Sequence, residues 1–279
     1  MTASFAYNLL FVFFIVSCSG CKKQSTIDEG TTLKPSTCLI ATQTTKELVS
    51  ASQPSTLDPE TVTINGESFQ VTTTKKSVYT YDTQGRILTE YNQYAGNKAD
   101  SVLYQYSPGA VTIRTVKLTT PKTVDTLVVA LNSQGYAEKK PFGYHVTYDK
   151  NGYLISQTDE YGTTAKINNG NVIEEEILGQ DATPNHTYRF EYDLNKSGLL
   201  STQSFYGKAS RNLPVKYTIQ QNGPFGTYPD VYQATYTYVF NENGFVKRQI
   251  FQGKNGEHPY LYGGGGDFIE VIDFTYICP

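Results

Sequence analysis

The sequence predicts an all-β fold: a long antiparallel meander of β-hairpins, strongly curled or closed into a barrel-like sheet. Three observations predict it. A strand–turn–strand motif recurs. Tyr81-Asp82-Thr83-Gln84-Gly85-Arg86-Ile87 returns as Tyr148-Asp149-Lys150-Asn151-Gly152-Tyr153-Leu154 and as Phe240-Asn241-Glu242-Asn243-Gly244-Phe245-Val246, with a longer copy from Tyr192-Asp193 to Gly198-Leu199. The segments between turns alternate apolar and polar residues. The composition, with 23 Tyr and 14 Phe but no Trp and one Met, suits pleated, half-buried surfaces.

The chain opens differently. Leu9-Leu10-Phe11-Val12-Phe13-Phe14-Ile15-Val16 is an apolar run that ends at small residues. It is too short to span a bilayer and reads as the core of a secretory signal peptide over residues 1–17, although no Lys or Arg precedes it. The following Ile15-Val16-Ser17-Cys18-Ser19-Gly20-Cys21 resembles the lipobox of bacterial lipoproteins. That resemblance implies a diacylated cysteine. Cys18 keeps the aliphatic position of the pattern and is the expected anchor. Cys21, with the more usual Gly before it, is the alternative. An ordinary cleaved signal with incidental cysteines is the competing reading. Residues 18–37 then form the anchor and a polar tether, whose span is roughly 20 Å for about fifteen flexible residues. Residues 38–279 form a single β-repeat domain, in which no stretch reaches the roughly 18 apolar residues of a membrane helix.

Within that domain the turns carry the argument. Asp or Asn opens each motif and accepts hydrogen bonds from the backbone just ahead. Gly stands fourth, where φ must be positive, giving a type I turn with a G1 bulge. Asp82–Gly85, Asn132–Gly135, Asp149–Gly152 and Asn241–Gly244 fit this pattern. Asn65-Gly66 and Asn169-Gly170 read as two-residue type I′ turns, and Ser107-Pro108-Gly109-Ala110 as another tight turn. Phe142, Tyr144, Val146 and Tyr148 share one face. So do Tyr188, Phe190 and Tyr192; Tyr232, Ala234, Tyr236 and Tyr238; and Leu127, Val129 and Leu131. In Val111–Leu118 the apolar phase slips, which predicts a bulge near Arg114. Turn counting gives roughly sixteen to eighteen strands, most of about 6–8 residues, with sequential strands antiparallel. Bare edges invite aggregation, so the sheet is expected to curl or close.

The motif resembles the YD repeat of Rhs-type and teneurin-type shells. Residues 81–88 match most fully, and the Tyr148 and Tyr192 copies lack the Arg after Gly. The chain also resembles a group of exported bacterial lipoproteins of unknown function with degenerate YD-like repeats. That resemblance implies a porin-like β-sheet fold and an envelope compartment, and it brings no catalytic residues.

Cys38 and Cys278 stand at opposite ends of the domain, where export permits a disulfide between them. Two unpaired thiols are the alternative. A formal net charge of −3 with no basic run offers nucleic acid no electrostatic footprint. His145, His186 and His258 have no second ligand at i+2 or i+4, so no metal site is expected, and no cofactor. Glu174-Glu175-Glu176 reads as a solvated face rather than a catalytic pair. Two aromatic, Gly-rich connections stand out, Asn222–Tyr232 and His258–Phe268. Phe225, Tyr228, Tyr232, His258, Tyr260, Tyr262 and Asp267 are their candidate ligand-binding residues, with packing of the sheet's end as the alternative. The expected function is a non-enzymatic binding or interaction module, held at the membrane by its N-terminal lipid and facing a glycan or an envelope protein. A scaffolding lipoprotein, a membrane-embedded barrel and, last, an enzyme are the alternatives.

Overall fold

The computed structural model describes residues 38–49, 59–96, 98–118, 120–139, 145–158, 162–179, 184–223, 226–253 and 268–278. The signal segment, Cys18, Cys21 and the tether lie outside these residues, as do Phe142 and Tyr144.

Among the described residues, sixteen strands form one antiparallel sheet. In the first half these are β1 (Leu39–Leu48), β2 (Glu60–Ile64), β3 (Glu67–Tyr81), β4 (Ile87–Tyr94), β5 (Lys98–Ser107), β6 (Ala110–Lys117) and β7 (Thr123–Ala130). The second half adds β8 (His145–Tyr148), β9 (Leu154–Thr158), β10 (Thr163–Asn168), β11 (Asn171–Leu178) and β12 (Pro184–Ser197). It ends with β13 (Asn212–Gly223), β14 (Gly226–Phe240), β15 (Val246–Gly253) and β16 (Phe268–Ile277). Several strands exceed the expected length; β3 and β14 each run 15 residues.

The order is β7-β6-β5-β4-β3-β1-β16-β15-β14-β13-β12-β11-β10-β9-β8, with β2 paired only to β3. The first and last strands therefore lie side by side inside the sheet, and its edges fall in mid-sequence. The Cys38–Cys278 disulfide fastens that central pair, with Cα atoms 4.1 Å apart. Among the described residues no ladder joins the two edges. Isolated bridges, Leu131↔Ala137 and Lys139↔His145, link β7 to β8 through the short segment between them.

The turns are built as their residues dictate. Gly85 N–H donates to Asp82 O at 3.0 Å, and the Asp82 carboxylate accepts from the N–H groups of Gln84 and Arg86. The same pattern recurs at Asn132, Asp149 and Asn241. The fourth-position glycines have φ between 76° and 90°, a region costly for other residues. In the most complete repeat, Arg86 also pairs with Asp82 at 2.7 Å and lies over the Tyr106 ring, tying its turn to β5. Asn65-Gly66 and Asn169-Gly170 have positive φ at both residues, as type I′ turns require.

Two expectations are corrected. There is no bulge at Arg114, because β6 pairs without a register shift to β5 and to β7. Its apolar residues simply change face: Val111 is buried on one side and Val116 on the other. The copy at Tyr192 is not a tight hairpin either. β12 runs on to Ser197, and residues 198–211 make a long excursion containing a short 3-10 turn, Ser204–Tyr206.

That excursion explains the curl. Because strands alternate in direction, the G1 turns, the Asn169-Gly170 turn and the disulfide all lie at one end of the sheet, here the turn end. The excursion crosses it. Ala137 N–H donates to Phe205 O, Lys208 N–H to Gly152 O and Arg211 N–H to Gly170 O, at 2.8–2.9 Å. Phe205 is buried in a cluster with Tyr104, Val111 and Val129 from one arm of the sheet and Leu213, Val246 and Phe274 from the other. Both arms bend round this ring and bury their inner faces against it.

The outer face has a different chemistry. Thr42–Thr275 and Thr80–Thr89 pair across strands by their hydroxyls at 2.7 and 2.6 Å. Glu174 pairs with Lys166 and Arg189 there; the three glutamates of the acidic run are half-buried rather than fully solvated, and Glu175 lies on the inner face opposite Tyr188. The β2–β3 hairpin folds over this outer face, and Val62, Ile64 and Val71 pack on Ile250, Ile269 and Val271. A four-charge clamp holds it. Glu60 bonds Lys46 and Arg248, and both cations also bond Asp273.

Candidate functional site: the inner face beyond the apolar core

Away from the turn end, the inner face changes from aliphatic to polar and aromatic. On β3–β5 a hydrogen-bonded network joins buried Ser77 and Asn92 to half-buried Tyr94 and Asp100. Ser77 Oγ donates to Asn92 Oδ1 at 2.6 Å, Asn92 Nδ2 to Asp100 Oδ1 at 2.8 Å, and Tyr94 Oη to Asp100 Oδ2 at 3.0 Å. Glu90, 8% exposed, accepts from Tyr104 Oη and Lys75 Nζ, and Gln203 of the excursion donates to the Tyr104 oxygen at 2.7 Å. Strand register sets this arrangement: Ser77↔Asn92, Tyr79↔Glu90 and Asn92↔Asp100 are direct cross-strand partners. Each buried polar group thus meets another, which removes most of the cost of taking it from water.

On β12–β16 the same face is a wall of rings. Tyr217 stacks on Phe251 at 5.4 Å with planes 6° apart, and Tyr188, Phe190, Tyr232 and Tyr236 lie 6.0–6.3 Å from the Tyr217 ring. Gly253 sits beneath this wall. A Cβ there would fall 1.4 Å from Tyr232 Oη, so glycine is what lets the tyrosine lie across β15.

Carboxylates sit between the two regions. Glu47 of β1 and Glu270 of β16 are cross-strand partners. Burial and then the facing Glu47 push the Glu270 carboxyl up. Burial, followed by Asp100, pushes Tyr94 up to about 12, and burial, followed by Glu270, does the same to Tyr236. At neutral pH these phenols stay protonated and can donate.

The outer clamp has the opposite electrostatics. Hydrogen bonding from Lys46 holds Glu60 low. Burial alone would raise Asp273, but bonds from Arg248 and Lys46 outweigh it. Carboxyls held low in the fold stabilise it above their unfolded range and lose that contribution as pH falls. Glu270, held high, weakens the fold as pH rises from the unfolded carboxyl range through its own pKa. Glu270→Gln is therefore expected to raise the unfolding temperature at pH 7. Glu60→Gln is expected to lower it at pH 7 and to flatten the loss of stability on acidification, both measured by thermal unfolding across pH 3–8.

The predicted binding residues are distributed differently from their expectation. Asn222–Tyr232 is mostly strand: β13 reaches Gly223 and β14 begins at Gly226. Tyr228 and Tyr232 are strand residues, and Tyr232 joins the inner wall. Phe225 lies outside the described residues, as do His258, Tyr260, Tyr262 and Asp267. The strand directions do send the β13–β14 and β15–β16 connections off the same end, opposite the turn end. Sequence reasoning missed the Ser77–Asn92–Asp100–Tyr94 network. Asn92, Tyr94 and Asp100 carry no apolar alternation that would mark their face as an inner one.

The fold and the inner face define a curled antiparallel β-sheet protein with a polar and aromatic interior behind an apolar plug. No family model matches the chain, and no curated protein matches it. Among solved structures it is similar to a porin-like protein from Bacteroides uniformis ATCC 8492. The TM-score is 0.54 and the sequence identity 14%, covering 85% of this chain and 98% of that one. The likeness is one of fold.

Proposed function

We propose that this chain is a lipid-anchored cell-envelope protein that acts as a non-enzymatic binding module, taking a glycan on its inner face. The observation that carries the reading is the ring wall around Tyr217 and Phe251 on the same inner face as the Ser77–Asn92–Asp100–Tyr94 network. A sugar presents apolar C–H faces and a rim of hydroxyls. Aromatic rings suit the first, and carboxylate, amide and neutral phenol groups suit the second. The disulfide favours an exported, oxidising location. The porin-like neighbour supports an envelope setting, and the lipobox-like Ile15–Cys21 segment supplies the anchor cysteine of this reading, Cys18 or Cys21.

Strands of 10–15 residues would be long enough for a membrane-embedded barrel. The outer face argues against one. A lipid-facing surface carries an apolar band, whereas this one carries Thr pairs, Lys166–Glu174–Arg189 and a folded-over hairpin.

The reading is tested on glycan arrays with the full chain and with Tyr217→Ala and Asp100→Asn, each checked for an unchanged circular dichroism spectrum. Both variants are expected to weaken binding about tenfold or more, consistent with losing one ring contact or one charged hydrogen-bond acceptor. An array with no bound glycan, or binding that both variants leave intact, overturns the proposal.

A further inference from the structure

Resting on the glycan reading above, we infer that the inner-face site selects a glycan carrying a free, protonated amine, bound by Glu47 and Glu270 with its sugar ring against Phe251 and Tyr236. Strand register makes one inward row of these four side chains. Glu47 of β1 is the direct partner of Glu270 on β16, Glu270 of Phe251 on β15, and Phe251 of Tyr236 on β14. Direct partners share a face, so two carboxylates run straight into two rings. Those rings belong to the wall: Phe251 lies 5.0 Å from Tyr236, 5.4 Å from Tyr217 and 5.4 Å from Phe268.

The row is short of positive charge. Cations on the strands around it face outward, where Lys46 and Arg248 bond Asp273, Arg189 bonds Glu174 and Lys216 bonds Glu191. Lys75, on the inner face of β3, is engaged by Glu90. Among the described residues no cation bonds Glu47 or Glu270; Glu47 accepts one long bond from the Thr74 hydroxyl, at 3.4 Å. Both carboxylates are half-buried, so their mutual repulsion is poorly screened and weakens the fold. An ammonium group relieves it. It has three donors, enough to bond both carboxylates at once, and its charge is attracted to the neighbouring ring faces. A neutral N-acetyl group supplies one N–H and no charge, and an acidic sugar adds to the repulsion. A bare divalent metal fits poorly. Calcium takes roughly 6–8 oxygens, and among the described residues no three His, Cys, Asp or Glu come together to hold a metal.

Titration calorimetry of the full chain at pH 6.5 compares β-1,4-linked tetramers of glucosamine, N-acetylglucosamine and glucose, with tetralysine as an amine without sugar. The glucosamine tetramer is expected to bind about tenfold or more tighter than the other two sugars. Glu270→Gln is expected to reduce that preference, and the double variant with Glu47→Gln to erase it. Since Glu270→Gln is expected to raise the unfolding temperature, a lost preference is not a sign of unfolding. Equal affinity for the three tetramers, or a preference that survives the double variant, overturns the inference and leaves the glycan reading standing. If no tetramer binds, the glycan array decides: hits that carry free amines sustain the inference, and hits that lack them overturn it. Tetralysine bound as tightly as the glucosamine tetramer, or an array with no hit, overturns the inference and the glycan reading together.

Discussion

Breaking the Cys38–Cys278 bond is expected to be among the most damaging single changes to this domain. The bond closes a separation of 240 residues. Loop entropy values such a closure at about 5 kcal/mol, and measured bridges more often give 2–4 kcal/mol. For a domain of this size, 1 kcal/mol corresponds to roughly 2–4 °C, so Cys38→Ser or added reductant is expected to lower the melting temperature by about 10 °C. The loss is not larger because β1 and β16 remain paired from Leu39↔Ile277 to Glu47↔Glu270 without it. Thermal unfolding of the wild type with and without reductant, beside Cys38→Ser, decides the matter. A fall of under about 2 °C in both would mean that the ladder alone holds the central strands together.

The second large effect is expected at Phe205. Its ring, 4% exposed, meets Tyr206 at 4.4 Å, Tyr104 at 6.1 Å and Tyr106 at 6.5 Å. Phe205→Ala removes the side chain on which both arms of the sheet converge, at a cost of about 3–5 kcal/mol. Phe205→Leu keeps most of the volume and should cost clearly less. Denaturant midpoints for the two variants give the comparison. If Phe205→Ala shifted the midpoint no more than Phe205→Leu, the excursion would be a surface loop rather than the plug of the turn end.

Much of this fold was legible because local chemistry determined it. Asp82, Asn132, Asp149 and Asn241, each three residues before a glycine, place four turns within a few residues, since only that spacing satisfies the turn's own hydrogen bonds. Alternation gave the inner faces of β12 and β14, where Tyr188, Phe190, Tyr236 and Tyr238 point inward together. What failed to show was non-local. The strand residues beside Leu39 and Ile277 carry no sign that they pair with each other; the flanking Cys38 and Cys278 were the one hint. The Tyr192 copy kept the Asp and the Gly of the motif but not their spacing, and the extra residues release the chain into the excursion. The candidate site was partly visible through Tyr232. Its polar half was hidden because Ser77, Glu90, Asn92 and Asp100 look like surface residues until the register sets them against one another.

The adjacency of β1 and β16 bears on how the molecule is made. A chain synthesised from its N-terminus delivers β1 first and β16 last. β1 finds one neighbour in β3 soon after emerging, but its other flank must wait for almost the entire polypeptide to be made. Two half-sheets, β1 with β3–β7 and β8 with β9–β15, can zip up as they appear, since sequential hairpins close fast. The last strand then acts as the seam that unites them. A ribosome stall or a truncation within the final ten residues would leave two sticky halves rather than a slightly shortened protein, and such halves are prone to aggregate.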